Sequence, residues 1–361
     1  MKKVLVILIG NIIYDARVSK EINSLKQKGY QVVLVQSEYL NQDIENFDFP
    51  LYVISKRRSS GMTLGKLIDI IKFQYQVNEI IKREKPDYIH CNDISGLLYA
   101  IPLVRKYKVV YDSHELATEC CSGWMKYFIY RLEKYLIPKL HAIIIPQIDR
   151  LKFFSFKYPK SLGKLYLLEN YPTKFQLYNK DFFKEELSVD RGSRKLVLYT
   201  GALNDERKVR ELVYAVSEID EFCLVLIGFA SEEYRKDLEI LIDRLKIQHR
   251  VFLFKPLKHE VIKTAAMSAD IGVCFYDDPN LNSYFNASNK LYELMNSGTL
   301  VLTNDTVGAA RVLKKENGIC IPSTSVEHIK LGLYELEKLP SAPKMNFWWE
   351  SQDCVLEEIY Q

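Results

Sequence analysis

The chain has 361 residues, enough for about two globular domains. Its composition, with 48% hydrophobic and 27% charged residues, is that of an ordinary soluble protein and excludes collagen-like, intrinsically disordered and coiled-coil proteins. Residues 1–170 carry 26 Lys and Arg against 17 Asp and Glu, whereas the remaining residues carry 24 against 29. A basic first half indicates an anionic partner, such as a membrane or a nucleic acid.

The longest uncharged apolar run, Val4–Ile13, has about ten residues, half the length that a membrane-spanning helix needs. We interpret it as a buried first strand and not as a signal peptide, because polar residues follow it without a cleavage site of small residues. The seven cysteines are scattered without a CxxC pair, so we expect no disulfide framework, no zinc site and a cytoplasmic location. We interpret the adjacent Asp277 and Asp278 as a turn and not as a metal site.

In chain order, apolar β-branched runs alternate with amphipathic stretches through the first half. The predicted strands span residues 4–9, 31–36, 88–91, 109–112, 142–145 and 165–168. The predicted helices span residues 18–28, 64–84 and 95–106. Strands separated by helical stretches of this length are typical of βαβ units and a parallel sheet.

The same alternation restarts after a connecting segment at residues 169–173. A helix is predicted from about Glu206, and the predicted strands span residues 195–200, 222–227, 251–254, 271–275, 300–303 and 318–321. We therefore predict an α/β protein with two parallel-sheet domains. Since ligands bind at the carboxyl ends of the strands in such sheets, we expect the two domains to face a central cleft.

Polar residues follow three predicted strands of the first half. Asn11, Asp15 and Arg17 follow the first strand, without the GxGxxG pattern of a nicotinamide or flavin site. They are candidate ligand-binding residues; the alternative is that Asp15 caps the next helix and Arg17 lies on its surface. Asp93 follows another strand and is predicted either to join the site or to cap a helix.

The segment Asp112-Ser113-His114-Glu115 follows the strand at 109–112. A histidine between two carboxylates at a strand end can orient or protonate a substrate oxygen. The alternative is a structural histidine next to an Asp-Ser pair that starts a helix.

Two segments of the second half suit a nucleotide. Gly201 follows a predicted strand and permits close approach of a diphosphate, and Arg207 and Lys208 near the helix start suit its charge; the alternative is a solvated face. On the helix that follows Ser288, Lys290 and Glu293 lie about one turn apart, and Glu293 can accept two hydrogen bonds from a ribose diol. Considered alone, that helix is an ordinary amphipathic one.

In their order and spacing, these motifs resemble those of the family 4 glycosyltransferases, which have the GT-B fold. The resemblance covers nearly the whole chain and is carried by Asp15-x-Arg17, Asp112-x-His114-Glu115, the Gly201 loop with Arg207, Asn289-Lys290-x-x-Glu293 and Phe347-Trp348-Trp349-Glu350. It implies a Rossmann-like acceptor-binding domain at 1–170 and a Rossmann-like nucleotide-sugar-binding domain at 171–344. It also implies that the helix at 345–361 crosses back to the first domain.

The resemblance further implies transfer of a sugar from a nucleotide-sugar donor to a hydroxyl, with retained anomeric configuration and without a metal or other cofactor. The catalytic residues would be His114, Asp112 and Glu115. The donor-binding residues would be Gly201, Arg207, Lys208, Asn289, Lys290 and Glu293. The acceptor-binding residues would be Asn11, Asp15, Arg17 and Asp93.

The chain departs from the family at several of its motif positions. Phe285 stands where the family has the first glutamate of a pair, and Lys208 stands where a glycine is expected. The expected role is assembly of a surface polysaccharide or another glycoconjugate on a sugar or lipid-linked acceptor. The alternatives are a weak or inactive GT-B partner subunit and a sugar-nucleotide epimerase of the same fold. No recognised motif supports nucleic-acid binding.

The stretch Trp124–Lys139 contains four basic and five aromatic residues. At 100° per residue, one helix face carries Trp124, Phe128, Leu132 and Tyr135. Such a helix can lie in the headgroup layer of an anionic membrane, which predicts peripheral contact with its inner face. The alternative is that this face packs against the sheet.

Overall fold

The computed structural model describes residues 1–39, 47–56, 64–175, 182–276 and 280–361 of the chain. It divides into two compact units: Met1–Asn170 with Trp349–Gln361, and Tyr171–Trp348. The Asp277-Asp278 pair, which we predict to form a turn, lies outside the described residues.

The first unit is built on a parallel sheet. Its elements are β1 (Lys3–Leu8), α1 (Ala16–Gln27), β2 (Gln31–Tyr39), β3 (Leu51–Lys56), α2 (Leu64–Glu84), β4 (Tyr88–Asn92), α3 (Asp93–Ala100), β5 (Lys108–Asp112), α4 (Gly123–Leu136), β6 (Ala142–Ile145), α5 (Ile148–Lys157) and β7 (Leu165–Leu167). Strands in the described residues are ordered β3-β2-β1-β4-β5-β6-β7, and all pairs are parallel. Strands β1, β4 and β6 are buried on both sides apart from the partly exposed Lys3, as a covered parallel sheet requires. Strands β1 and β6 are otherwise apolar, whereas β4 also contains His90 and Asn92.

Helix α5 was not predicted, and two further details of this unit differ from the sequence prediction. Strand β3 was not predicted, although it pairs in parallel with β2 at the sheet edge. Helix α3 ends at Ala100 instead of continuing to residue 106. The reason is Pro102, which lacks the backbone N–H that would continue the helical ladder.

The second unit repeats the architecture. Its elements are α6 (Phe182–Leu187), β8 (Lys195–Ala202), α7 (Val209–Ser217), β9 (Phe222–Phe229), α8 (Glu232–Arg244), β10 (Val251–Phe254), α9 (His259–Ser268), β11 (Ile271–Cys274), α10 (Leu281–Tyr284), α11 (Asn289–Ser297), β12 (Leu300–Asn304), α12 (Val307–Val312), β13 (Gly318–Ile321) and α13 (Val326–Glu337). Its described strands form a parallel sheet ordered β10-β9-β8-β11-β12-β13. The order reverses between β8 and β11, and in the first unit between β1 and β4. Ligand crevices in open α/β sheets form at such reversals.

The chain then returns to the first unit and ends in α14 (Cys354–Tyr360). Trp349 is buried there, and its Nε1 donates to Ser24 Oγ at 2.8 Å. The return begins at residue 349 and not at 345, because Met345 N bonds to Met295 O at 3.0 Å and Phe347 packs on Tyr292, both in the second unit.

Helix α4 turns its aromatic face outward. Trp124 is 70% exposed, and Tyr127, Phe128 and Tyr135 are exposed beside it. The face that packs on the sheet carries Ile129, Glu133 and Leu136 instead. The alternative that the aromatic face covers the sheet is therefore wrong. Within the described residues, none of the helices combines the length and apolar character needed to cross a bilayer.

We predict that Trp349→Ala destabilises the first unit by about 3–5 kcal/mol, because a buried ring is replaced by a cavity. Urea unfolding, followed by intrinsic fluorescence and circular dichroism, measures the change. Trp124→Ala removes the same side chain from an exposed position and is expected to stay within about 0.5 kcal/mol of the wild type. Equal effects of the two substitutions would contradict the packing of Trp349.

Candidate functional site

In the first unit, the predicted polar residues meet where β4 and β5 end. The two strands pair in register, with Asn92 opposite Asp112. His114 Nε2 lies 2.9 Å from Asp112 Oδ2 and 3.2 Å from Asn92 Oδ1. His114 Nδ1 lies 3.4 Å from Asp93 Oδ2, and Asp93 Oδ1 accepts a bond from His114 N at 3.0 Å. We call this set, Asn92, Asp93, Asp112 and His114, the histidine site.

The histidine site favours the imidazolium form of His114. Burial alone would lower the pKa of His114, but the charges of Asp112 and Asp93 and the bond to Asp112 raise it to about 10. Asp112 is fully buried, and although burial opposes ionisation, Arg17 and His114 hold its pKa well below the ordinary value. Both ring nitrogens therefore carry protons at neutral pH. His114 can donate a hydrogen bond or screen negative charge, but it cannot act as a base in this state.

Arg17 does not lie where an acceptor could bind it. Its side chain is 5% exposed, with Nε and Nη2 each 2.9 Å from an oxygen of Asp112 and Nη1 donating to Leu168 O at 3.0 Å. Arg17 Nε also lies 3.2 Å from Glu21 Oε1. The assignment of Arg17 to the acceptor is thus corrected: it orients Asp112, because a buried guanidinium must be paired.

The other first-unit candidates have local contacts. Asp15 Oδ1 accepts from the backbone N–H groups of Arg17 and Val18, so Asp15 caps α1 as the alternative interpretation had it. Asn11 caps a short turn by accepting from Ile13 N at 3.0 Å. Glu115 is exposed, and its carboxylate accepts from Cys120 Sγ at 3.4 Å. A role of these residues toward substrate stays a prediction.

Several buried groups around the histidine site were missed by the sequence analysis. Arg150 Nη1 donates to His114 O at 2.7 Å, and His90 Nε2 lies 3.2 Å from Glu21 Oε2. Among the residues that the structure describes, Glu21, His90 and Asp112 form the one set of acidic and histidine groups spaced to hold a metal ion. Arg17 lies against both carboxylates, so the protein itself supplies the positive charge there.

The second unit contains a cavity of about 270 Å³ at the carboxyl ends of β8 and β9. We call it the donor cavity. One wall is apolar, and the polar groups come from the start of α11. Its lining residues are Thr200, Gly201, Ile227, Gly228, Phe229, Pro256, Leu257, Ile262, Asn289, Lys290 and Glu293. Four predicted donor-binding residues, Gly201, Asn289, Lys290 and Glu293, therefore line one space.

The backbone conformation of Gly201 favours glycine, and the residue lies directly beside Lys290. Its φ is +127°, and a Cβ at this position would lie 1.9 Å from Lys290 Nζ. Without that Cβ, Lys290 reaches Thr200 O at 2.9 Å, and burial lowers the pKa of its ammonium group. The glycine thus lets a buried cation reach the strand end.

Arg207 and Lys208 stand beside this strand end. Arg207 lies 4.3 Å over the ring of Tyr276, and its Nη1 donates to Phe275 O at 3.3 Å. Lys208 has a φ of 55°, the left-handed conformation that glycine adopts without cost, between a 3-10 turn at Asp205–Arg207 and helix α7. This is the position where a glycine was expected from the family pattern.

Helix α11 presents its first turns to the donor cavity. Ser288 caps it by accepting from Leu291 N at 3.3 Å. Among the described residues, Asn289 Oδ1 is buried without a hydrogen-bond partner, and Glu293 is buried on the same helix. Phe285 closes α10 and has no group that can bond a hydroxyl.

We predict that the stability contributed by the raised pKa of His114 is present in full below about pH 6.5 and is lost as the pH rises toward 10. The difference in Tm between the wild type and His114→Gln should therefore be largest near pH 6 and shrink by pH 10. Differential scanning calorimetry across this range measures it. The control is His249→Gln, which makes the same change at an exposed histidine of the second unit. A pH-independent difference for His114→Gln would contradict the buried imidazolium.

Comparisons with known proteins match a glycosyltransferase family model to a part of each unit. The family model described as "Glycosyltransferase Family 4" matches residues 18–148, and the model described as "Glycosyl transferases group 1" matches residues 180–347. A comparison with curated protein sequences found no match.

Solved structures are similar over the whole chain. A sucrose-phosphate synthase from Thermosynechococcus elongatus has a TM-score of 0.76 and 15% identity, covering 100% of this chain and 98% of its own. Anabaena HepE in complex with UDP and glucose has a TM-score of 0.73 and 15% identity, covering 99% of each chain. Starch synthase IV from Arabidopsis thaliana, bound to ADP and acarbose, has a TM-score of 0.67 and 13% identity, covering 99% of this chain and 98% of its own. The low sequence identities show the GT-B fold alone. The two glycosyltransferase family models match consecutive parts of the chain and together support a family 4-like glycosyltransferase.

Proposed function

We propose that this glycosyltransferase moves a sugar from a nucleotide-sugar donor to an acceptor hydroxyl with retention of anomeric configuration. The observation that carries the proposal is the donor cavity, which combines an apolar wall with the Glu293 carboxylate and the Lys290 ammonium group, while Arg207 lies next to Thr200 and Lys290 at its edge. A nucleotide sugar needs each of these features. The similar structures of HepE and starch synthase IV contain UDP and ADP, respectively, which supports a nucleotide-sugar donor for this protein.

Each part of the donor has a matching surface. The base packs against Pro256 and Leu257, and the ribose diol bonds to Glu293. Arg207 and Lys290 neutralise the diphosphate at the end of β8, with Lys208 beside them. Because these cations are part of the chain, we propose that donor binding needs no resident metal ion.

The sugar end of the donor differs from the family pattern. Phe285 replaces the first glutamate, so an amide takes over part of its role. Asn289 is the candidate, since its buried Oδ1 lines the donor cavity and lacks a partner among the described residues. An unpaired buried oxygen is costly, and a ligand hydroxyl would satisfy it.

The proposed reaction needs no protein base. The bond between the anomeric carbon and the diphosphate oxygen breaks, and its electron pair leaves with the phosphate. The acceptor oxygen bonds to the anomeric carbon on the same face, and its proton passes to that phosphate oxygen. A cationic His114 supports this route, because it can donate to a sugar oxygen but cannot take the acceptor proton.

A thermal-shift screen of UDP, GDP, ADP and CMP identifies the nucleotide that binds. We predict that Arg207→Ala weakens binding of that nucleoside diphosphate by tenfold or more, as expected for the loss of about 1.5–3 kcal/mol from a charge-assisted contact. Binding of the corresponding nucleoside should change little. Isothermal titration calorimetry measures both affinities.

The matched control for Arg207 is Arg210→Ala. Arg210 also lies over a tyrosine ring, that of Tyr234, but its charge pairs with Asp205 and Asp237 on the surface. Its loss should leave nucleotide affinity nearly unchanged. Equal losses of affinity for the nucleoside diphosphate and for the nucleoside in Arg207→Ala would contradict the assignment of Arg207 to the diphosphate.

We propose that the acceptor is lipid-linked and that the enzyme acts in surface polysaccharide or glycoconjugate assembly at the cytoplasmic face of a membrane. The support is the outward face of α4, where Trp124, Tyr127, Phe128 and Tyr135 are exposed together. Arg131 lies 6.0 Å over the Tyr127 ring. Aromatic rings with basic residues between them suit the headgroup layer of an anionic bilayer.

We predict that the protein floats with vesicles containing anionic phospholipid at low salt and dissociates at high salt. The double substitution Arg131→Glu and Lys134→Glu should remove this binding, because each basic residue near an anionic surface contributes about 1 kcal/mol. Lys236→Glu with Arg244→Glu, on α8 of the second unit, makes the same charge change and should not affect flotation. Flotation that is insensitive to salt and to the α4 substitutions would exclude this surface.

A further inference from the structure

A chain of buried polar groups joins the last helix to the histidine site. It begins at Tyr360 on α14, whose hydroxyl lies 2.5 Å from His90 Nδ1 on β4. His90 Nε2 lies 3.2 Å from Glu21 Oε2 on α1. His90 and Glu21 are 1% and 2% exposed, respectively, so these contacts are shielded from water.

The series continues from Glu21 to His114 through charge contacts at its Glu21 end, since neither Glu21 oxygen nor His90 Nε2 has a hydrogen-bond partner among the described residues. Glu21 Oε1 lies 3.2 Å from Arg17 Nε, and Arg17 binds both oxygens of Asp112. Asp112 Oδ2 is shared between Arg17 Nε and His114 Nε2, each at 2.9 Å. Residues that are far apart in the sequence therefore form one connected set, and each link joins charged or hydrogen-bonding atoms.

The contacts of Tyr360 and His90 indicate which of their atoms carry protons. Burial raises the pKa of the Tyr360 hydroxyl well above its ordinary value, so the hydroxyl keeps its proton and can donate to His90 Nδ1. A neutral histidine has one N–H, which then lies on Nε2 and faces Glu21. The opposite tautomer would place a lone pair against the carboxylate, and Glu21 would have to take up a proton.

Glu21 is the group most sensitive to this choice. Burial and the charge of Asp112 raise the pKa of Glu21, whereas Arg17 and His90 lower it. Loss of the N–H from His90 removes one of the two contacts that favour its ionised form. The Arg17 guanidinium would then be held by Asp112 alone.

We propose that Tyr360, His90 and Glu21 are positioning residues of the histidine site. Tyr360 fixes the tautomer of His90, and His90 keeps Glu21 ionised. Glu21 and Asp112 then hold Arg17 between them, and Arg17 in turn keeps the Asp112 carboxylate in its contact with His114 Nε2. The proposal concerns the state of His114, and it rests on the proposed function only in that His114 acts on the substrate.

A purely structural role for Tyr360 predicts something different. Its ring packs against Tyr30 and Tyr88, at centroid distances of 5.8 and 5.1 Å. If packing were its whole role, removal of the hydroxyl would change stability slightly and would leave both histidines unaffected. The substitution Tyr360→Phe separates the two roles, because it keeps the ring and removes the oxygen.

Nuclear magnetic resonance measures the histidines without any substrate. Two-bond nitrogen–proton spectra of ¹⁵N-labelled protein report the tautomer and the pKa of each ring, and His90→Gln and His114→Gln assign the signals. In the wild type we expect the Nε2–H tautomer at His90 and an imidazolium at His114. In Tyr360→Phe we expect the Nδ1–H tautomer to appear at His90 and the pKa of His114 to fall by at least about half a unit.

The direction of that fall follows from the charges. Protonation of Glu21 removes a negative charge and leaves more of the positive charge of Arg17 acting on His114, which disfavours a second cation. The groups that face His114 stay the same in the variant. They are Asp112 on β5, Asn92 at the end of β4, Asp93 on α3, Arg17 on α1, Arg150 on α5 and the adjacent Glu115.

Tyr88→Phe is the matched control. Tyr88 packs on Tyr360 and contributes to raising its pKa, but the Tyr88 hydroxyl accepts from Lys108 and is not one of the links between Tyr360 and His114 described above. The proposal is overturned if Tyr360→Phe leaves the His90 tautomer and the pKa of His114 unchanged, or if Tyr88→Phe shifts them equally.

A second variant keeps the test decisive if Tyr360→Phe does not fold. Glu21→Gln preserves the side-chain shape and should produce the same fall in the pKa of His114. Its control is Glu133→Gln, which neutralises a carboxylate bonded to Tyr111 and Tyr158 instead. An unchanged pKa of His114 in Glu21→Gln also overturns the proposal. UDP titration of each variant reports on the donor cavity separately, so failure of the proposed donor leaves the histidine measurement intact.

Discussion

The contact between Arg17 and Asp112 is the constraint on which the first unit depends. A guanidinium and a carboxylate are both removed from water there, which is tolerable only because the fork of Arg17 matches the two carboxylate oxygens. The same guanidinium also binds Leu168 O, so it ties α1, β5 and the segment after β7 to one point. Without it, Asp112 and Glu21 would be neighbouring negative charges with nothing between them.

In the second unit, the buried cation Lys290 is accommodated beside a glycine, Gly201, and not by pairing with buried carboxylates as Arg17 is in the first unit. Gly201 and Gly228 lie side by side on β8 and β9, where a Cβ on Gly228 would lie 1.6 Å from Gly201 O. A Cβ on Gly201 would strike Lys290. Gly201 therefore leaves room for Lys290 at the end of β8, and Gly228 leaves room for the backbone of Gly201. In our proposal the charge of Lys290 pairs with the diphosphate of a ligand, whereas in the first unit the buried charges pair with one another.

Sequence patterns predicted the two parallel sheets and most strand positions, since buried parallel strands are continuous apolar runs bounded by polar strand ends. The grouping of Asp112 with His114 followed from the same rule. The burial of Arg17 could not be predicted, because a surface arginine and a buried one look alike until the partner is known. The roles of His90 and Tyr360 were missed for a related reason: their contact spans 270 residues, and no local period reports it. Strand β3 was missed because it is a short strand at the edge of the sheet. Its apolar stretch, Leu51–Ile54, is brief and only partly buried.

The return of the chain at Trp349 has a consequence for its synthesis. The first unit needs residues 349–361, yet the whole second unit, Tyr171–Trp348, is translated in between. At 5–20 residues per second, this delay is on the order of 10–35 s. During that time the nascent first unit carries an open apolar slot where Trp349, Leu356 and Tyr360 will later pack. The second unit is continuous in sequence, so it can finish folding before the first unit, whose apolar slot is filled only when the last helix has been synthesised.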